Sequence, residues 1–460
     1  MLNHQSVLVI GLGKSGKEAA LLLKEKGAEV TVLELEKNFS TLKKKEALQK
    51  CGIQVVFGSH QENLLKKKHF IVISPGVPYN LPIIKKAESL GIQVISELEF
   101  ASLFIPAKNI IAITGTNGKT TTTFLTYKIL KKSGIKALIG GNIGTPVSRL
   151  VRRFSPHLLS GKIITEVSSF QLEKTFSFSP HIYCILNLSF NHLDRHSSFF
   201  EYQKIKAAPL PRMGPDDFAI LNYDQPQVSS LGRFTLARVI FFSQRQKLTE
   251  GIFVEDDRIM ANIKNMPVCI PFNNLQIEKF HNLDNVLCAV GIALIEGVSP
   301  ELIGESLTEY RPLPHRQQLI KEIDGVRFID DSKATNQAAV ENMLASISSP
   351  VILIMGGRDK GGDFSYLKSR IFDKVKTILL LGEAKERIRE ELGGALPARE
   401  CKSLSEAVRV AFSLSQKGDS VVLSPGCSSL DEFTSYRHRG KVFANEVRKL
   451  KEEIEEKKSI

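Results

Sequence analysis

The chain has 460 residues, too many for one ordinary domain and suited to two to four. With 42% apolar and 24% charged residues it is an ordinary globular chain whose core needs no covalent staples. The formal charge of +13 would suit anionic ligands, but the runs Lys43-Lys44-Lys45 and Lys66-Lys67-Lys68 have no interleaved aromatics. They read as solvated surface, so no nucleic-acid partner is expected.

Short β-rich apolar runs alternate with helical stretches, which predicts an α/β fold with mostly parallel sheets. The run Val7–Ile10 leads directly into a glycine turn and reads as a first strand, not a secretory signal. No apolar stretch approaches membrane-spanning length, so the expected location is the cytoplasm. The six cysteines (51, 184, 269, 288, 401 and 427) lack metal or redox spacing and read as scattered buried thiols.

Gly11-Leu12-Gly13-Lys14-Ser15-Gly16 follows the first strand, and the second ends at Glu34. The pattern matches a dinucleotide fingerprint, in which a helix N-terminus receives phosphate. Alone it is weak, since a tight strand-to-helix turn needs no ligand. Ser74-Pro75-Gly76 follows the strand Phe70–Ile73 and should face the same crevice.

A second unit opens with Ile110–Ile113, which runs into Gly115-Thr116-Asn117-Gly118-Lys119-Thr120. A helix is predicted from Thr121, with Leu125 and Ile129 on one face. Small residues let backbone N–H groups wrap phosphates, Lys119 reaches the outer phosphates and the Thr120 hydroxyl is suited to Mg²⁺. Only two residues separate the glycines, where the common motif has four. Glu166, at the end of Ile163-Ile164-Thr165, is a candidate Mg²⁺ ligand, or else a helix-capping acid before Ser168 and Ser169. His192, Asp194 and His196 follow the strand Ile182–Leu186; the four-residue histidine spacing raises zinc, but Mg²⁺ assisted by one histidine fits a phosphate site better. By residue type alone, Lys206 is an ordinary surface lysine.

Pro312 and Pro314 punctuate the start of a third unit. Three polar, small-residue loops leave its strands: 330–336, 356–360 and 424–429. Together they suggest one shared site, with Lys333 and Lys360 able to hold carboxylates. Phe443, Val447, Leu450 and Ile454 form one apolar stripe on a charged terminal helix, expected to dock on its own domain.

Taken together these motifs resemble the Mur ligase family along essentially the whole chain. The resemblance rests on Thr114–Thr121, Glu166–Glu173, Asn191–Arg195, Pro314-His315-Arg316, Asp331–Asn336 and Ser429-Leu430-Asp431. Among family members it is nearest to those that add D-glutamate to UDP-N-acetylmuramoyl-L-alanine. It implies three domains: 1–98 Rossmann-like for the UDP-sugar, 99–311 for ATP, and a Rossmann-like 312–460 for the amino acid. It also implies ATP-dependent amide formation through an acyl phosphate, use of two Mg²⁺ ions, small-molecule substrates only, and a monomer.

Carried over by motif, the resemblance implies that Gly115, Thr116, Asn117, Gly118, Lys119, Thr120 and Thr121 contact ATP. Asn282, Arg316 and Asp331 would hold the same nucleotide. Thr120 would bind the first Mg²⁺, with Glu166 and His192 at a second. Ser15, Glu34, Ser74, Gly76, Asn142 and Ser168 would meet the UDP substrate. Lys333, Thr335, Lys360, Ser429, Leu430 and Tyr436 would shape the D-glutamate pocket; the family often has phenylalanine where this chain has Tyr436. Lys206 matches a lysine that CO₂ carbamylates, although Lys204 competes for the role. A carbamate is an oxygen anion able to ligate metal, where an ammonium would be repelled. An NAD-dependent oxidoreductase explains only the first glycine turn, and a folylpolyglutamate synthase usually lacks the N-terminal unit.

Overall fold

The apolar run after the N-terminus forms β1 (Ser6–Ile10), followed by β2 (Glu29–Glu34), β3 (Gln54–Phe57), β4 (Phe70–Ile73) and β5 (Gln93–Ser96). All pair in parallel, in the order β3-β2-β1-β4-β5. Leu8, Ile10, Ile71 and Ile73 pack with Ile83 and Ile84 of a covering helix. Val7, Val9 and Val72, on the other face, are buried too, and such double-sided burial is why the central strands read as continuous apolar runs rather than alternating ones. The order reverses between β1 and β4, which opens a crevice at their carboxyl ends.

The computed structural model describes residues 2–58, 62–153, 161–189, 195–256, 258–263, 266–271, 283–310, 313–347, 350–359, 361, 363–394 and 396–458. They divide into two compact units. The first is Met1–Leu188, Phe200–Asn274 and Asp284–Glu309; the second is Ser189–Phe199, Leu275–Leu283 and Tyr310–Ile460.

The first unit also holds a nine-stranded sheet. Its strands are β6 (Ile110–Thr114), β7 (Ala137–Gly141), β8 (Lys162–Glu166), β9 (Ile182–Ile185), β10 (Phe218–Asn222), β11 (Arg238–Ser243), β12 (Gly251–Glu255), β13 (Arg258–Ile263) and β14 (Met266–Pro271). The order is β14-β13-β12-β11-β10-β9-β6-β8-β7. β6, which feeds the phosphate loop, lies between β8 and β9, so the segments after all three strands converge. β12, β13 and β14 are antiparallel, a meander that the sequence reading did not single out.

In the second unit, β15 (Gln318–Ile323), β16 (Val326–Asp330), β17 (Val351–Gly356), β18 (Val375–Leu381), β19 (Ala398–Glu400) and β20 (Ser420–Gly426) are ordered β15-β16-β20-β17-β18-β19. Val351, Leu353 and Met355 of β17 enter one core cluster, and Ile352 and Ile354 the other, so this central strand is buried on both faces. The terminal helix Tyr436–Lys458 lays Phe443, Val447 and Leu450 onto the second cluster, as its stripe predicts.

Three expectations need correction. The phosphate-loop helix spans Lys119–Lys132, beginning two residues before Thr121, because Gly118 at φ +83° already turns the chain into it. Cys51 and Cys269 are exposed: one follows a helix end and the other lies on the edge strand β14. Each lysine run also contributes to structure. Lys44 Nζ donates to the Leu12 carbonyl at 2.9 Å, and Lys68 Nζ to Ser6 Oγ at 2.9 Å and Thr31 Oγ1 at 3.1 Å. Long aliphatic stems let such residues cover apolar surface while their ammonium groups find oxygen. Among the described residues no helix is long and apolar enough to cross a membrane.

Candidate nucleotide and amino-acid sites

The phosphate loop is held from behind by residues outside its motif. Thr116 N–H donates to the Asn187 carbonyl at 2.9 Å, and Asn117 N–H to Asn187 Oδ1 at 2.8 Å. Thr122 Oγ1 donates to Asn285 Oδ1 at 3.2 Å. A Cβ at Gly118 would collide with that same oxygen, so glycine is required by space as well as by its positive φ. Neither asparagine was singled out from sequence; the available signal for Asn187 was a polar residue just after the strand that flanks β6.

Lys119 Nζ donates to the carbonyls of Gly115 at 2.8 Å and Thr116 at 2.7 Å, so its charge lies over the loop. Thr120 Oγ1 donates to Glu166 Oε2 at 2.7 Å, and Asn142 Nδ2 donates to Glu166 Oε1 at 2.7 Å. The register that pairs Glu166 with Ile113 sets this carboxylate beside the loop. Asn142 is thereby hydrogen-bonded to the carboxylate that also accepts from Thr120. Glu166 is not a helix cap; Ser168 fills that place, with Gln171, at the helix Ser169–Leu172. Thr121 lies in the first turn of the phosphate-loop helix.

Lys206 is the largest departure from a residue-type reading. It is 1% exposed, and its Nζ donates to Thr114 Oγ1 at 2.9 Å and the Gly115 carbonyl at 3.1 Å. The Tyr202 ring lies under the ammonium, 4.9 Å to its centroid. Burial, then the nearby Lys119 charge, holds its amine well below the usual lysine range, with Glu166 opposing. Among the described residues no group of three His, Cys, Asp or Glu clusters as a metal site. His192, Asp194 and Asn282 lie outside the described residues, so the histidine spacing has no described geometry; His196 is buried.

At the first sheet, Ser15 sits in the opening turn of the helix Lys14–Glu25. Ser74 N–H donates to the Ile10 carbonyl at 3.0 Å, bringing the 74–76 segment, with exposed Gly76, beside the glycine turn as expected. Glu34 Oε2 accepts from Leu12 N–H at 2.5 Å and its Oε1 from Glu36 N–H at 3.1 Å, so this carboxylate braces the turn.

In the second unit, the adjacency of β16, β20 and β17 brings the three predicted loops together. Lys333 Nζ lies 4.5 Å from the Tyr436 ring centroid, and the Tyr436 carbonyl accepts from Ser332 Oγ at 2.9 Å. Ser429 is buried and Leu430 exposed on the loop after β20; Thr335 and Arg316 are partly buried. Lys360 lies outside the described residues. Asp331 accepts from Ser424 Oγ at 3.0 Å, and Asp330 meets His315 Nδ1 at 2.7 Å.

Comparison with known proteins fits this arrangement. Residues 5–96 match the family model of the MurD-like N-terminal domain of Mur ligases, 113–293 the Mur ligase middle domain, and 315–427 the Mur ligase glutamate ligase domain. The chain belongs to the Mur ligase family. It is 38% identical over 448 residues to a UDP-N-acetylmuramoylalanine--D-glutamate ligase of Koribacter versatilis, covering 97% of this chain and 98% of that one. A relative with the same name from Syntrophus aciditrophicus is 39% identical over 452 residues, covering 97% and 98%. Among solved structures, the pseudomurein peptide ligase type C of Methanothermus fervidus aligns with a TM-score of 0.61 at 20% identity, over 97% of this chain and all of that one, which bears on the fold alone.

Asp331 gives this Mur ligase a testable pH dependence. Burial pushes its carboxyl up to about 8, opposed by Ser424 Oγ–H, Gln317 N–H and the Arg316 charge. The folded state thus keeps a proton that an unfolded aspartate releases near pH ~4. The stability this carboxyl contributes is therefore greatest at low pH and falls as pH rises from roughly 4 to about 8. Asp331→Asn is expected to flatten that fall and raise Tm at pH 8 by a few °C. Thermal melts of both proteins from pH 5 to 8.5 check this; an equal loss of Tm at every pH would contradict it.

Proposed function

We propose that this Mur ligase joins D-glutamate to UDP-N-acetylmuramoyl-L-alanine with ATP, forming a precursor of peptidoglycan. Near-full-length similarity to ligases of that name carries the reading. We keep domain boundaries near residues 98 and 311, and we place the enzyme in the cytoplasm as a monomer.

The acceptor carboxylate is a poor electrophile and repels the phosphates it must approach. In the proposed sequence one carboxylate oxygen attacks the γ-phosphorus and the bond to ADP breaks, giving an acyl phosphate. The amine of D-glutamate then attacks the carbonyl carbon, the nitrogen loses a proton, and phosphate leaves with the carbon–oxygen bond electrons. Lys119 supplies positive charge where anionic charge gathers, and the N–H groups at the start of the helix after the loop orient the phosphates. Gly115 to Thr121, with Asn282, Arg316 and Asp331, are assigned to ATP. Ser15, Glu34, Ser74, Gly76, Asn142 and Ser168 are assigned to the UDP substrate. Lys333, Thr335, Lys360, Ser429, Leu430 and Tyr436 are assigned to D-glutamate.

The oxygen set of Thr120 and Glu166 suits Mg²⁺, a hard cation that takes oxygen ligands. We assign Thr120 to hold a first ion and Glu166 with His192 to hold a second, and bound Mg²⁺ would neutralise phosphate oxygens. As an ammonium Lys206 does not suit such a site; as a carbamate it would supply oxygen ligands to a second ion. Its amine would add to CO₂ with loss of one proton, forming a new nitrogen–carbon bond.

Phosphate release with ATP, UDP-N-acetylmuramoyl-L-alanine and a panel of amino acids tests the assignment. D-Glutamate is expected to exceed L-glutamate by about tenfold or more. Equal or greater release with another amino acid would remove the D-glutamate assignment and leave the ligase class intact.

A further inference from the structure

Arg439 lies in the first turn of the terminal helix and is 3% exposed. A guanidinium has five N–H donors, and here five acceptor contacts match them. Nε donates to Ser332 Oγ at 3.0 Å. Nη1 donates to the carbonyls of Gly356 and Ser428, each at 3.4 Å. Nη2 donates to the carbonyls of Ser332 at 3.0 Å and Cys427 at 3.1 Å. None of these acceptors is a carboxylate; Asp431, Asp330 and Glu432 act on the cation without bonding to it, and burial outweighs them. A buried cation held by neutral oxygens is normally costly, which calls for an account of why one stands here.

The acceptors identify its role. Ser332 follows β16, Gly356 ends β17, and Cys427 and Ser428 follow β20. These are the three loops that carry Lys333 and Thr335, Arg358 and Lys360, and Ser429 and Leu430. Gly357 makes room for the group: at φ +129°, its Cβ would lie 3.0 Å from Nη1 and collide with the Ser428 carbonyl. Ser332 Oγ, which accepts from Nε, also donates to the Tyr436 carbonyl at the start of the helix.

We propose that Arg439 is a positioning residue for the amino-acid pocket, a planar fork that fixes three loops against one another and against Tyr436. With its N–H groups committed to protein oxygens, it acts through Lys333 and Ser429 and does not itself bind substrate. The inference rests on assigning those loops to the amino acid.

The test uses the full-length enzyme and three variants: Arg439→Lys, Ser332→Ala and, as a control on the same helix, Arg448→Lys. Lysine keeps the charge but carries its three N–H groups on one nitrogen, so it cannot meet five acceptors spread over three loops. Arg439→Lys is expected to raise KM for D-glutamate about tenfold or more while KM for the UDP substrate stays within about twofold. Ser332→Ala, which removes the side-chain acceptor, should move the same constant in the same direction by less. Arg448, bonded to Asn445 and exposed, should leave both constants unchanged. A D-glutamate KM unchanged in Arg439→Lys, or an equal rise for all substrates, would overturn the inference; if that variant does not fold, Ser332→Ala decides by the same criterion. Should the wild type prefer another amino acid whose KM then rises in Arg439→Lys, the D-glutamate reading fails and the positioning role stands.

Discussion

Lys206→Ala is expected to lower turnover by about a thousandfold or more, with short carboxylic acids such as formate or acetate restoring part of it. The expectation follows from burial and placement. The Lys206 nitrogen sits within hydrogen-bonding distance of Thr114 and Gly115, at the base of the phosphate loop, where no described carboxylate pairs with it. An amine with so little access to water is held toward its neutral form, the form that adds to CO₂. Alanine leaves a cavity where the carbamate would stand, and a small carboxylate can occupy it and present oxygen in its place. Phosphate-release assays with and without added acid, and with CO₂ stripped from the wild-type buffer, check this. Full activity in the alanine variant, or recovery equally produced by chloride, would remove Lys206 from the site.

Lys119→Ala is expected to lower kcat by about a thousandfold while the fold persists. In the structure the ammonium rests on the Gly115 and Thr116 carbonyls, both on the loop that would receive the phosphates. Its removal leaves the loop itself braced, because Asn187 and Asn285 hold it independently of the lysine. The melting temperature should therefore change little, and the loss should appear in kcat more than in KM for the UDP substrate. A variant with near-normal kcat, or one whose loss tracks a fallen melting temperature, would contradict this role.

The contrast between these two lysines shows what each level of description supplies. Lys119 was legible in the sequence because its function depends on neighbours within six residues, and local chemistry repeats as a motif. Lys206 was not legible by type: its partners Thr114 and Gly115 lie about ninety residues away, and only the pairing of β6 with β9, and the helix Phe199–Ala207, brings them together. The resemblance pointed to it, but the residue pattern alone gave a surface lysine. Asn187, Asn285 and Arg439 share that history. Each makes its decisive contacts far along the chain, and none is unusual in its local surroundings.

The sequence by itself determined the class of fold, the position and type of the phosphate loop, the two crevice-facing segments of the first sheet and the terminal stripe. Each depends on periodicity or on a short run of residues, which the chain writes out in order. The tertiary structure decided what those segments touch. It turned Asn142 toward Glu166, committed Glu34 to the glycine turn, tied Lys44 and Lys68 to protein oxygens, and set Arg439 among three loops. The physical reason is that hydrogen bonds and buried charges are satisfied in space: strand order, which no local pattern encodes, decides which oxygen meets which nitrogen.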